Sequence, residues 1–333
     1  EVAARMSDRI SDEEIAVRRD FRNVFTVTID PVDARDFDDA LSIQPLTGPW
    51  MELGVHIADV SHYLEAGTSL DEEAFERATS VYLPDRVLPM LPEHISNELC
   101  SLRPKEDKLT FSAVFEIHAE SGEVRHSWLG KTVIHSNHRF AYEEVQTIIE
   151  QGSGLHADSI LVLNRMARQL RAQRFANGAI NFSSQEVRFR LDEQGTPLGI
   201  TIKESKEAHQ LIEEYMLLAN RVVAEFLGKV KVQDKALPFP YRTHDDPDRE
   251  KLLPFVAFAK KFGHRFDLSS PEAITDSFNQ LLQDVQGRPE QHVLEQLGIR
   301  TMAKAKYTVE NIGHYGLGFE HYCTFSPASR SVL

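Results

Sequence analysis

Five aspartates fall within ten residues of "TIDPVDARDFDDALSI" (Thr28–Ile43): Asp30, Asp33, Asp36, Asp38 and Asp39. Only Arg35 offsets them locally. Two like charges about 4 Å apart repel by roughly 4 kcal/mol at an effective dielectric near 20. The run sits between two apolar segments, "FTVTI" and "ALSI", whose patterns demand burial. An acidic surface loop is the ordinary reading of an aspartate run. Here the flanks predict acids at the ends of packed strands. Carboxylates held there need cations or hydrogen bonds. All-oxygen donor sets suit Mg²⁺, Mn²⁺ or Ca²⁺.

The spacing narrows the chemistry. An EF-hand loop needs Gly at its sixth position, and the sixth residue from Asp30 is Arg35. Asp36-Phe37-Asp38 matches the Asp-x-Asp of haloacid dehalogenase phosphatases. That motif should follow a strand directly, whereas "PVDAR" intervenes. Asp-Thr/Ser-Gly, Gly-x-Ser-x-Gly, a phosphate-binding Gly-rich loop and His-Glu-x-x-His are absent from the sequence. The 14 histidines lack tight ligand spacing and do not support zinc. Carboxylate-rich magnesium sites serve above all phosphoryl transfer, where two ions about 3.5–4 Å apart clamp attacking and leaving oxygens.

The 333 residues suffice for one large domain or two smaller ones. No apolar run approaches the roughly 18 residues of a membrane span. "EVAARMSDRISDEEIAVRRD" lacks a signal peptide's apolar segment, and the missing Met is expected of a cut fragment. Two cysteines, Cys100 and Cys323, predict a reducing, cytoplasmic setting. A net charge of −14 argues against a nucleic-acid surface, but total charge does not report the charge inside a channel.

"NVFTVTID", "DALSIQ" and "WMELGVHIADV" read as strands, the last two joined by the turn signal "PLTGP". "KLTFSAVFEIHAESGEVRHSWLGKTVIH" reads as two strands around "ESGE". "SLDEEAFERATS" predicts a helix capped by Ser69, and "DDPDREKLLPFVAFAKKFG" one capped by Asp246 with Pro254 as a kink. Further helices are expected at "AYEEVQTIIEQG", "DSILVLNRMARQLRAQRFANG", "KEAHQLIEEYMLLANRVVAEFLG", "SPEAITDSFNQLLQDV" and "EQHVLEQLGIRTMAKAKY". Strands and helices in blocks give an α+β class, with a mixed or antiparallel sheet core flanked by helices.

The aspartate stretch is followed by "GVHIADVSHYL", "SVYLPDRVLPMLPEHISNELCSL" and "NIGHYGLGFEHYCTF". Together these blocks resemble the ribonuclease II/ribonuclease R family over about Phe21–Phe325, the span of its RNB catalytic domain. The resemblance leaves 1–20 as a lead-in and 326–333 as an atypical tail. It implies helices enclosing an RNA channel, processive Mg²⁺-dependent (or Mn²⁺-dependent) 3′→5′ hydrolysis of single-stranded RNA to nucleoside 5′-monophosphates, and flanking cold-shock and S1 domains. It carries Asp30, Asp36, Asp38 and Asp39 over as metal-site residues, with Asp38 indispensable to chemistry, and leaves Asp33 as a loop acid or turn cap. It places Tyr82, Tyr142 and Phe182 where the family contacts terminal nucleotides. Core packing is the alternative for each ring, strongest for Phe182.

Other residues keep two readings. His56 and Asp59 either organise the site or satisfy strand-end hydrogen bonds. His209 and Glu213, four apart on a helix, read as a solvated face in preference to a metal pair. Arg300, Lys304 and Lys306 suit either phosphate contacts or an exposed basic face. The family continues past "HYCTF" with a motif like Thr-Ser-Pro-Ile-Arg-Arg-Tyr, where this chain reads "SPASRSVL". That departure keeps a second function open: a catalytically impaired module that binds RNA without efficient cleavage.

Overall fold

The computed structural model describes residues 3, 6–182, 186–192, 194–203 and 205–325, with side chains left out at 186–188 and 202–203. The tail at 326–333, with Ser326, Pro327 and Arg330, lies outside the described residues. The chain divides into two compact units. The first holds the described residues up to 169, those of 186–219, and Phe325. The second holds those of 170–182 and 220–324.

Nine strands open the first unit: β1 (Arg19–Phe21), β2 (Thr26–Asp30), β3 (Asp39–Pro45), β4 (Trp50–Ala58), β5 (Val81–Tyr82), β6 (Val87–Leu88), β7 (Asp107–His118), β8 (Val124–His135) and β9 (His138–Ala141). All but the β5–β6 hairpin join one sheet, in the order β1-β8-β7-β4-β3-β2-β9. The interior pairs are antiparallel, and β1 and β9 add parallel edges on β8 and β2. The "PLTGP" turn joins β3 to β4 as expected. Every residue of β2 is buried, and β4 is buried from Glu52 to Ala58. Such continuous burial requires cover on both faces, so these strands lack the polar/apolar alternation of a half-exposed sheet. Helices of this unit include α1 (Asp12–Ala16), α2 (Ser69–Arg77) and α3 (Tyr142–Gln151), and the long α4 (Ala157–Ala176) and α5 (Glu207–Leu227) begin in it. The α+β class with a mixed sheet holds.

The second unit is helical in its core. Its α6 (Arg249–Ala259), α7 (Pro271–Asp284) and α8 (Gln291–Thr301) bury Leu252, Phe255, Phe278, Leu281 and Leu294 together. A Cβ on Gly298 of α8 would stand 3.2–3.5 Å from the rings of Phe182, Phe278 and Phe255. The missing side chain therefore lets three aromatics close on the helix.

Two helix starts differ from expectation. The α2 cap is Thr68, whose hydroxyl accepts the Asp71 N–H at 3.4 Å, and Ser69 is the first helical residue. Asp248, not Asp246, caps α6 by accepting the Glu250 N–H at 3.0 Å, and the helix runs on through Pro254. Neighbouring candidates this close in capping strength are not separated reliably by residue type. The one with extended backbone takes the role.

The sheet carries a polar interior. His56 is fully buried and lies between Ser112 Oγ and Ser42 Oγ, each 2.7 Å from a ring nitrogen. A Cβ on Gly54 would collide with Ser42 Oγ and the His56 ring, so this position needs glycine. At the sheet end, Asp59 accepts from Arg18 Nη2 at 2.7 Å and from Ser61 Oγ at 2.5 Å. Arg18 also donates to the Thr110 carbonyl at 3.2 Å and is itself buried. Burial raises the Asp59 pKa, but the Ser61 and Arg18 hydrogen bonds outweigh it and leave the carboxyl below its usual range. The hydrogen bonds of both His56 and Asp59 are thus satisfied, within the sheet and at its end.

Two outcomes follow for stability. Arg18→Met strands a buried carboxylate and should cost about 3–5 kcal/mol, softened by Lys131 3.7 Å away. Urea unfolding should return much of that loss in the Arg18→Met/Asp59→Leu pair. The second outcome concerns pH. Burial, then the Arg19 charge, pushes the His56 pKa down to about 3, against 6.5 for an ordinary imidazole. Between those values the unfolded chain binds one more proton at this site. Stability therefore falls as pH drops through the window, by up to about 1.4 kcal/mol per pH unit. His56→Gln should flatten the slope of unfolding free energy between neutral pH and about pH 4 by that one proton, and an unchanged slope would refute the assignment.

Candidate active site

Asp30 is the last residue of β2 and Asp39 the first of β3. Antiparallel pairing of these central strands brings both to the same end of the sheet. Asp30 and Asp38 are 6% and 2% exposed, Asp36 and Asp39 are half-buried, and Asp33 and Arg35 face solvent. The acids are therefore packed at a strand end, as the apolar flanks predicted, and Asp33 stands apart as the loop acid.

The loop from Pro31 to Asp38 is held by neighbours in its own unit. Arg139 of β9 donates from Nη2 to the Pro31 carbonyl at 2.5 Å, and its guanidinium lies 5.4 Å from the Phe37 ring centre. The Phe37 N–H donates to Ser101 Oγ at 3.0 Å. The Ala58 N–H, at the end of β4, donates to the Asp38 carbonyl at 3.0 Å. Burial, then the Asp38 charge, pushes the Cys100 thiol up to about 12. A thiol held neutral in this way is no nucleophile.

Tyr82 stands in the β5–β6 hairpin with half of its surface exposed, and its phenol donates to Asp36 Oδ2 at 2.9 Å. One sequence-selected aromatic is thereby joined to one sequence-selected acid. Tyr142 joins the group by register. Asp30 of β2 is paired with Ala141 of β9, and Tyr142 follows at the first position of α3. Its ring stacks on His209 of α5, with centroids 4.2 Å apart and planes 13° from parallel. Pro31, Val32, Tyr142, Gln146, Lys206 and His209 line a cavity of about 430 Å³ beside the loop.

Phe182 lies in the second unit, edge-on to Phe278 at 5.7 Å and packed against the helical core. Those contacts are the core packing named as its alternative. Arg300, Lys304 and Lys306 also belong to that unit, and all three are exposed. His209 is a cavity wall, not the solvated face its spacing suggested. Ser101 and Arg139 escape sequence reasoning altogether, because their contacts span 64 and 108 residues of chain and leave no local pattern.

Hard carboxylate oxygens fit Mg²⁺ or Mn²⁺ by donor type. Among the described residues no three His, Cys, Asp or Glu side chains are grouped as for a metal ion. Asp30, Asp36, Asp38 and Asp39 are the residues that would hold one.

Comparison with known proteins fits this arrangement. The RNB domain model matches residues 18–330. Ribonuclease R of Aquifex aeolicus is 38% identical over 97% of this chain and 46% of its own. The Mycoplasma genitalium RNase R structure, in complex with ribose methylated single-stranded RNA, superposes with a TM-score of 0.89 at 29% identity. It covers 99% of this chain and 51% of that one. Yeast Ssd1, a pseudonuclease, shares the fold at 20% identity and a TM-score of 0.78, over 97% of this chain and 40% of its own. The chain spans roughly a third to a half of the length of the curated relatives it matches. On the extent of these matches, the chain belongs to the RNB domain family, and it is similar in sequence and fold to ribonuclease R.

Proposed function

We propose that this chain is the catalytic module of a divalent-metal-dependent 3′→5′ exoribonuclease, which hydrolyses single-stranded RNA processively to nucleoside 5′-monophosphates. One observation carries the reading: Tyr82 donates its phenol to Asp36 at the same acidic loop that holds Asp38 and Asp39. A base-stacking ring is thus fixed beside the carboxylates that phosphodiester chemistry needs. A likeness to ribonuclease R, one member of which was solved with single-stranded RNA, supports the same substrate.

Asp30, Asp36, Asp38 and Asp39 would hold the ion, Mg²⁺ by preference and Mn²⁺ as a substitute. A bound divalent ion supplies charge neutralisation at the phosphate and activation of water. The protein's own part is placement. Tyr82 fixes Asp36 and offers an exposed ring to a base. Tyr142, backed by His209, offers a second ring beside the loop, and Lys206 brings a cation to the cavity they line. Stacking contributes about 1–3 kcal/mol per base and accepts any base. That indifference suits an enzyme that must pass over every sequence. The reading further assigns a cytoplasmic setting and, in the full-length protein, flanking cold-shock and S1 domains with basic surfaces of their own.

Asp38→Asn removes a charge from the loop without changing its bulk. Release of 5′-nucleotides from labelled poly(A) should fall by about a hundredfold or more, while a filter assay still finds the RNA bound. Wild-type hydrolysis by this variant would remove Asp38 from the chemistry. RNA binding by the unaltered chain without Mg²⁺-dependent nucleotide release would favour the binding-only module instead.

Tyr82→Ala should weaken binding of a short oligonucleotide by about 1–3 kcal/mol and lengthen the smallest undegraded product. Tyr82→Phe keeps the ring and loses the bond to Asp36. Normal product length with slower turnover in that variant would separate stacking from orientation, whereas an unchanged ladder in both variants would return Tyr82 to a packing role.

A further inference from the structure

The segment "NELCSL" closes the block "SVYLPDRVLPMLPEHISNELCSL", and no role in the site follows from its residue types. Its chemistry is concentrated in one atom. Ser101 has no exposed surface, and its hydroxyl sits beneath the acidic loop. The oxygen accepts the Phe37 N–H at 3.0 Å, and its proton goes to the Arg35 carbonyl at 2.8 Å. These are the peptide groups on the two sides of Asp36. The next residue continues the pairing, with the Leu102 N–H on the Phe37 carbonyl at 2.8 Å.

We infer that Ser101 is a positioning residue for the acidic loop, setting where the Asp36 and Asp38 carboxylates point. The inference deepens the proposed nuclease reading and rests on it. Between Pro31 and Asp38 the backbone belongs to no strand. Sheet hydrogen bonds therefore do not shape it, and mutual repulsion of the acids would spread it. A serine hydroxyl has one proton and two lone pairs. Here the proton and one lone pair tie together two groups that flank a single residue, which bows the chain at Asp36 and leaves its side chain outside the bow. Asp38 is then caught between the Leu102 bond to the preceding carbonyl and the Ala58 bond to its own.

The delivery of Ser101 is local. The preceding turn, His94–Leu99, is wound wide and closes with the Cys100 N–H on the Ile95 carbonyl at 2.9 Å, five residues back. Wide turns of this kind occur mostly as single insertions, frequently at functional sites. Residues behind metal ligands typically change metal affinity or activity by 10–100-fold when removed.

The test compares the wild-type chain with Ser101→Ala, Ser101→Thr and, as a control for a lost buried hydroxyl, Ser136→Ala. Ser136 is equally buried and donates to the His138 carbonyl at 3.3 Å. Three readings are taken: steady-state hydrolysis of labelled RNA at saturating Mg²⁺, Mn²⁺ binding to the protein alone by electron paramagnetic resonance, and amide hydrogen exchange at Phe37.

Ser101→Ala should lower kcat by about 10–100-fold with KM for RNA little changed, weaken Mn²⁺ binding, and speed Phe37 exchange. Ser101→Thr, which keeps the hydroxyl, should recover most of each, and Ser136→Ala should move none. Wild-type kcat in Ser101→Ala, unchanged Phe37 exchange, or equal losses in the control would overturn the inference while leaving the nuclease reading intact. A wild-type chain that neither releases nucleotides nor binds Mn²⁺ would sink the nuclease reading itself. In that case the inference falls with it, whatever Phe37 exchange does.

Discussion

Repulsion among carboxylates at the end of two buried strands is the constraint to which the rest of this sheet answers. The strands must be buried for the unit to have a core, and on the proposed function the acids must stay together to act. Neither requirement can be relaxed by moving the acids outward, because β2 and β3 are interior strands whose ends are fixed by their neighbours. The chain meets the conflict with backbone hydrogen bonds. Pro31, Arg35, Phe37 and Asp38 all give carbonyls to groups on other elements, and none of those bonds involves an aspartate side chain. These four bonds hold the loop's backbone without drawing on an aspartate side chain.

The same logic explains the polar features around the loop. Asp59 stands one residue past Ala58, whose N–H holds the Asp38 carbonyl. Its ion pair with Arg18 anchors the end of β4, and through β4 one wall of the loop. Arg139 is the counterpart on the other side, reaching from β9, the parallel neighbour of β2. Buried ion pairs contribute little net stability compared with well-packed apolar groups. Their use beside the acidic loop is better understood as fixing geometry than as strengthening the core.

Much of the fold was legible because β2, β3, β4, β7 and β8 are apolar enough to be seen and are punctuated by "PLTGP" and "ESGE". The acidic loop was legible for a related reason: a charge cluster between two apolar runs has few stable solutions. What stayed hidden was pairing across distance. His56 and Asp59 look like equals in "GVHIADVSH", yet one bridges two serines within the sheet and the other closes an ion pair with a residue 41 positions earlier. Ser101 carries no periodicity, no charge and no motif of its own. Thr68 and Asp248 won their capping roles over Ser69 and Asp246 by backbone conformation, which residue type does not encode. Phe182 shows a different gap, since the sequence does not reveal that its ring packs edge-on against Phe278.

The acidic balance of the chain is consistent with an RNA substrate once the two kinds of contact are separated. Affinity for nucleic acid comes largely from phosphate charge and falls with salt. Placement of the last nucleotide needs only stacking and a fixed loop. A module that did both on one surface would hold its product as tightly as its substrate and release it slowly. Tyr82 and Tyr142 supply rings at the acidic loop, and rings grip a base without recognising which base it is. On the proposed function, basic surface belongs upstream along the RNA, away from the carboxylates, where it raises the residence of the polymer without trapping the monomer.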